Sequence, residues 1–256
     1  MKLPQTTLVK LAASALVMGS ALCVQAQTAA PTAAPATTIA PAASGVELSY
    51  NLGVVSDYRY RGISQTRLKP AVQGGFDAVL GGAYLGAWVS NITWIKDAGG
   101  KSKAELDVYG GYKYEASKSL TLDVGVLAYQ YPRNQLTPSA NTTELYIGAI
   151  SGPFSAKYSR STSNLFGFAS SKGSGYLEAN LDYELRKGTN VVLHAGKQTV
   201  KNNATANYTD YKIGVTYEAL GGKFAASVIG ASEDFLAPNG KNLSKAGLVL
   251  GYTQTF

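Results

Sequence analysis

Val46-Glu47-Leu48-Ser49-Tyr50-Asn51-Leu52-Gly53-Val54 alternates an apolar side chain with a polar or small one over nine positions. Successive side chains of an extended strand point to opposite faces, so one face of this segment is apolar and the other polar. The signature returns along the chain. Leu120, Leu122, Val124 and Val126 alternate with Thr121, Asp123 and Gly125, and Tyr211, Ile213, Val215 and Tyr217 alternate with Asp210, Lys212, Gly214 and Thr216. No segment carries a sustained helical stripe. The fold class this predicts is all-β.

Twelve such segments are expected, at 46–61, 71–80, 83–92, 103–114, 119–131, 142–150, 154–160, 176–185, 190–198, 209–218, 223–230 and 244–256. Most have the length of a tilted strand that crosses a bilayer, about 9–11 residues. Their connections alternate between short (Gly81-Gly82, Glu115 to Lys118, Ser151 to Pro153, Arg186 to Gly188, Ala219 to Gly222) and long. Short periplasmic turns with longer extracellular loops are the pattern of bacterial outer-membrane barrels. The expectation is a transmembrane antiparallel up-and-down β-barrel over 46–256, with N- and C-termini periplasmic. In the last strand Ala246, Leu248, Leu250, Tyr252 and Phe256 share a face. A terminal phenylalanine on that face is the kind of signal read by the outer-membrane assembly machinery, the first expected partner. Outer-membrane lipids are the second, at the apolar faces.

The segments before the barrel read differently. Lys2 and Lys10 supply a positive n-region ahead of an apolar run, Leu11 to Val24, and Val24-Gln25-Ala26 reads as an A-x-A-like cleavage site. Residues 1–26 are therefore expected to be a signal peptide, and the run is too short for a transmembrane helix, which needs about 20 residues. Cys23 raises lipidation, but Leu22 before it is bulkier than such a signal prefers. Residues 27–45, rich in Ala, Pro and Thr, read as a disordered spacer. The formal charge of +7 falls to +5 without Lys2 and Lys10.

Ser56-Asp57-Tyr58-Arg59-Tyr60-Arg61-Gly62-Ile63-Ser64-Gln65-Thr66 resembles the opening motif of the TorF porin family, and the resemblance extends over about residues 46–256. It implies a pore-type barrel in the bacterial outer membrane, and it brings no catalytic residues with it. The expected function is passive diffusion of small polar solutes or ions. The alternative is a non-conducting structural or interaction barrel acting through its extracellular loops.

Strand parity then assigns the charges. Twelve of the sixteen acids fall on the inward face, among them Asp57, Glu105, Asp107, Glu144 and Asp210, against fewer bases, including Arg59, Arg61, Lys113 and Lys212. Arg67, Lys69, Lys96, Lys101, Arg133, Lys172, Lys201 and Lys241 fall in loops and rims, so the positive excess lies there. A channel's selectivity follows its lining rather than its net charge. A basic rim also suits the phosphates of outer-leaflet lipopolysaccharide. The candidate pore-lining set is Asp57, Arg59, Arg61, Glu105, Asp107, Lys113, Asp210 and Lys212. Asp57, Arg59 and Arg61 are its sharpest members, and two readings stand: a lumen ion-pair network with Glu105, Asp107 or Asp210, or guanidinium contacts to a permeating anion.

Inward glycines (Gly53, Gly75, Gly111, Gly125, Gly148, Gly196, Gly214, Gly247, Gly251) favour open volume in the lumen, although glycine also permits the coiling that barrels need. The long fourth loop, with Leu165, Phe166 and Phe168, either folds inward as a constriction or packs over the rim. His194 is the one histidine and falls on the inward face without a serine signature beside it, so no enzyme activity is expected. Neither the Cys/His content nor any EF-hand-type spacing suggests a metal. No cofactor and no nucleic-acid partner is expected.

Overall fold

The computed structural model describes residues 45–256. The signal-peptide and spacer segments read from the sequence lie outside the described residues, except for Gly45.

Fourteen strands follow in order: β1 (Glu47–Val55), β2 (Arg59–Tyr60), β3 (Ile63–Ser64), β4 (Ala71–Leu80), β5 (Ala83–Asn91), β6 (Ala104–Ser117), β7 (Leu120–Gln130), β8 (Thr142–Ser151), β9 (Phe154–Ser161), β10 (Gly175–Arg186), β11 (Thr189–Thr199), β12 (Tyr208–Ala219), β13 (Gly222–Ala231) and β14 (Gly247–Thr255). All but β2 and β3 form one closed antiparallel barrel of twelve strands, each paired with its neighbour in sequence. β1 closes on β14, and Tyr50 and Phe256 exchange backbone hydrogen bonds at the seam. Closure leaves no strand edge unpaired, which hydrocarbon requires because it offers backbone groups no partner.

Every connection at one end is two residues long, as the bounds of β4/β5, β6/β7, β8/β9, β10/β11 and β12/β13 show. Gly81 (φ +57°), Gly152 (φ +56°) and Gly188 (φ +75°) supply the left-handed backbone such tight turns demand. The other end carries the long connections, and both ends of the described segment, Gly45 and Phe256, lie with the short turns.

The outer wall is apolar. Leu48, Leu52, Leu85, Ile147, Ile213 and Leu248 are all more than half exposed. Near the short-turn end the wall turns aromatic, with Tyr50 against Phe76 at 5.3 Å and Phe224 against Tyr252 at 4.7 Å. An apolar band with an aromatic girdle is what a bilayer selects on a barrel exterior. The interior carries the buried ion pairs and most of the buried tyrosines.

The structure departs from the expected strand list at the first and last segments. The first wall strand ends at Val55 and not at 61, and the last begins at Gly247 and not at 244. After Val55 the chain leaves the wall and folds into the lumen as the hairpin β2–β3. Two short helical turns, α1 (Trp94–Asp97) and a 3-10 turn at Ala204–Ala206, sit in the long loops.

Candidate functional site

Residues 56–70 form a plug across the long-loop half of the lumen. The hairpin pairs Tyr60 with Ile63, leaving Arg61 and Gly62 as its two turn residues, at φ +44° and +82°. Positive φ at both positions belongs to the turn type whose twist matches a two-residue hairpin. Gly62 also lies so close to the wall that a Cβ there would come within 2.7 Å of the Asp210 Cβ and the Gly230 carbonyl. The hairpin tip is thus seated on β12–β13, and the glycine is needed twice over. Substituting Gly62→Ala is expected to lift the tip, detected as faster proteolysis of the 56–70 segment in a barrel that still runs as folded on a gel.

The hairpin's side chains reach the wall on several sides. Arg61 forms a bidentate pair with Glu144 on β8, at 2.7 and 3.1 Å, and donates to Gln198 on β11 at 2.7 Å. Its guanidinium lies 3.9 Å from the ring centre of Tyr176 on β10, a stacked cation–π arrangement. Arg59 pairs with Asp57 at 2.8 Å and donates to the carbonyls of Ile229 and Lys245. Tyr58, fully buried, donates to Glu105 on β6 at 2.9 Å, and Tyr60 donates to the Tyr129 hydroxyl on β7 at 2.9 Å. Burial, then the charges of Glu105 and Asp107, pushes the Tyr58 phenol well up, so it stays protonated and donating. Burial alone would lower the Arg61 pKa, but Glu144 together with the Tyr60 and Tyr129 phenols outweighs it and holds the guanidinium above its usual range.

Neighbouring loops brace the plug. The Gln65 carbonyl accepts from the amides of Thr93 and Trp94, and Arg67 pairs with Asp97. The fourth loop leans inward: Leu165 is buried, and Phe166 packs edge-on against Tyr60 at 5.5 Å and Tyr129 at 5.2 Å. Asp107 is fully buried, and neither carboxylate oxygen accepts a hydrogen bond. That is a costly arrangement in a low-dielectric interior.

The candidate residues therefore fall into two groups. Asp57, Arg59, Arg61, Glu105 and Asp107 meet at the plug. Asp210, Lys113 and Lys212 belong to the wall. Asp210 accepts from Tyr176 and faces His194 Nε2 at 2.9 Å, while His194 Nδ1 faces Asn180 at 2.7 Å. The polar groups that His194 meets are the carboxylates of Asp210 and Glu178, the Asn180 amide and the Tyr176 phenol. Lys157 pairs with Glu178 at 2.9 Å, and Lys113 lies 5.5 Å from the Tyr84 ring centre. Among the described residues no group of His, Cys, Asp and Glu is placed to hold a metal.

A set of lumen tyrosines was missed by counting charges alone. Tyr84, Gly111, Gly125 and Tyr146 stand in register across β5 to β8. The two rings lie over the two glycines, their hydroxyls bond to each other, and Tyr84 also donates to Asp123 at 2.7 Å. Tyr109 covers Gly86 and Tyr176 covers Gly196 in the same way. This corrects the expectation of open volume at three of the nine inward glycines: Gly111, Gly125 and Gly196 are seats for tyrosine rings, as is Gly86, and the space over them is filled. Applying the inward parity to tyrosine as well as to charge would have found them.

A closed twelve-stranded barrel, apolar outside and polar inside, is the porin-type fold. Solved structures with this architecture include the KdgM porin, at 11% identity and a TM-score of 0.52, and the NanC porin, at 10% and 0.51; each match covers 82% of this chain and 98% of the other. A further KdgM structure is described as in complex with disordered oligogalacturonate, with a TM-score of 0.51 at 11% identity over the same shares of the two chains. No curated protein matches the sequence. The chain belongs to the family described as "Bacterial protein of unknown function (Gcw_chp)", which matches residues 39–256.

Proposed function

We propose that this protein is a bacterial outer-membrane porin-type channel for small polar solutes or ions, narrowed by its own first loop. The observation that carries the reading is the lumen of the short-turn half. Asp77, Lys157, Asn180, Asp182, Asn190 and His194 are only partly buried there, inside a barrel whose outer wall is apolar. A barrel serving only as an anchor gains nothing from a wet, charged interior, whereas a channel needs polar groups to replace a solute's hydration. The short-turn end is periplasmic in this reading, and Phe256 presents the terminal strand to the assembly machinery. The motif at 56–66 supports a place close to the TorF porins within the wider family. Outer-leaflet lipopolysaccharide is a partner of the basic rim.

The plug favours a second reading, a non-conducting barrel that acts through its extracellular loops. Planar-bilayer recording separates the two. The intact protein should give small, discrete conductance steps, and excising Tyr58–Gln65 in favour of a short Gly/Ser link should enlarge them several-fold. A barrel that stays silent after excision belongs to the second reading.

Selectivity follows from the same lumen. Replacing Lys113 and Lys212 by methionine leaves Asp77, Asp123, Glu178 and Asp210 less opposed. The reversal potential in a salt gradient should then move toward the cation value, and an unmoved potential would remove both lysines from the permeation path. No catalytic role is assigned to His194, whose inward contacts serve to hold Asp210 and Asn180.

A further inference from the structure

The outward face of β9–β11 carries an arrangement that permeation does not use. Arg160, the outward-facing residue next to the end of β9, pairs in register with Leu145 on β8 and Gly175 on β10. Beside it the fourth and fifth long loops meet in a cavity of about 650 Å³, lined by Leu145, Arg160, Thr162, Lys172, Gly173 and Lys201 among others. Three of its lining residues are cationic and none is acidic. None of the three cations forms an ion pair among the described residues.

The cavity is built rather than incidental. Gly173, at φ +89°, brings two of the cations together: a Cβ placed there would lie 3.6 Å from an Arg160 guanidinium nitrogen and 3.7 Å from the Lys201 side chain. The two loops are tied by three hydrogen bonds, from the Lys201 amide to Ser174 Oγ and from the Asn202 and Asn203 side chains to the carbonyls of Ser170 and Ala169. Like charges held this close repel, and these side-chain to backbone ties hold the two loops that carry them together. Such a cluster is pre-organised for an anion.

What lies beneath it selects the anion. One row below Arg160 stand Ile147, Tyr158, Leu177 and Lys197, with the first three exposed on the apolar wall by 56, 44 and 55%. The Tyr158 ring leans up over Gly175, toward Arg160, with its hydroxyl at the level where the cations begin. Tyrosine at that height is an interface anchor. A ligand spanning both features has a phosphate at the top and hydrocarbon below.

We propose that Arg160, Lys172 and Lys201 form a binding site for a phosphate of an outer-leaflet glycolipid, whose acyl chains run down the wall over Leu145, Tyr158 and Leu177. The site rests on the outer-membrane placement of the barrel and not on conduction through its lumen. The geometry also places this contact on one side of the barrel.

Native mass spectrometry of the full chain in detergent tests it, using bis-phosphorylated lipid A and a lipid carrying the same acyl chains without phosphate. The wild type should retain the phosphorylated lipid at least ten-fold better than its phosphate-free counterpart. The Arg160→Ala/Lys172→Ala/Lys201→Ala variant should lose that preference, while Lys241→Ala, an exposed loop lysine elsewhere, should keep it. All three side chains are exposed, so the variant should keep the melting temperature of the parent without lipid. Equal retention by wild type and triple variant overturns the site, as does a loss of equal size in Lys241→Ala. Stabilisation of the lipid-free protein by inorganic phosphate, equal to that given by lipid A, would overturn the lipid as ligand. Because the assay reads no current, a silent channel leaves its outcome intact.

Discussion

Replacing Arg61 by alanine is expected to raise the single-channel conductance several-fold while the barrel stays folded. The reason is the asymmetry of a buried ion pair. Arg61 and Glu144 are each about 3% exposed or less, and they meet in two parallel hydrogen bonds. Removing one partner of such a pair costs about 3–5 kcal/mol, because the charge left behind is neither solvated nor compensated. The hairpin pays that cost by leaving, since undocking returns Glu144 to water. Gln198 and the face of Tyr176 lose their partner in the same step. Arg61→Lys should give an intermediate increase: it keeps the charge and loses the planar fork that reaches both carboxylate oxygens. Glu144→Gln should reproduce much of the alanine effect from the wall side. The check is bilayer recording paired with limited proteolysis of residues 56–70. Unchanged steps with an undocked hairpin would mean that the constriction lies elsewhere.

Most of the fold was legible because a barrel repeats one rule. Alternation marked the wall strands, and four of the five short turns stood out as glycine-bearing gaps, Gly81-Gly82 above all. Ten of the segments fall within a few residues of the strands observed. The misplacement of 56–61 has a specific cause. Asp57, Arg59 and Arg61 keep the inward parity of β1, so period-two reasoning ran on past Val55 into a hairpin that is itself extended. The break is signalled only by Arg61-Gly62, where two successive left-handed residues turn the chain, and arginine is an uncommon occupant of that region. Parity gives a side chain's face but not its distance from the wall. It could not tell a residue on the barrel from one standing in the middle of it.

The same limit governed the pairing. Glu144 was visible as one inward acid among many, and nothing in its surroundings, Thr143 and Leu145, linked it to Arg61 eighty-three positions earlier. That contact depends on how far the first loop reaches across a closed barrel. The distance is set by strand number and tilt, and no local pattern encodes it.

Gly125→Val is expected to destabilise the barrel wall itself, where the loss of a plug charge such as Arg61 is relieved by undocking of the hairpin. Glycine in a strand interior ordinarily weakens it, because it brings backbone entropy and no packing. Here the loss is offset by the neighbours. Gly125 lies between Gly111 and Tyr146 in register, and the Tyr146 ring covers it. A Cβ at Gly125 would meet the Tyr146 hydroxyl, its ring carbon at 2.5 Å and the Gly110 carbonyl at 2.6 Å. The ring can rotate away only by giving up its bond to Tyr84, which in turn holds Asp123. The carbonyl cannot move without opening the β6–β7 ladder. Overpacking typically costs about 1–3 kcal/mol, and the broken tyrosine bond adds to it. Gly110→Ala, whose side chain would face outward with its nearest contact, the Tyr84 carbonyl, at 3.2 Å, is the control and should cost less. Urea titration of the detergent-folded protein, followed by gel mobility with and without heating, separates them. A Gly125→Val midpoint equal to that of Gly110→Ala would show that the tyrosine saddle contributes nothing to closing the barrel, and the inward glycines would again have to be read as lumen space.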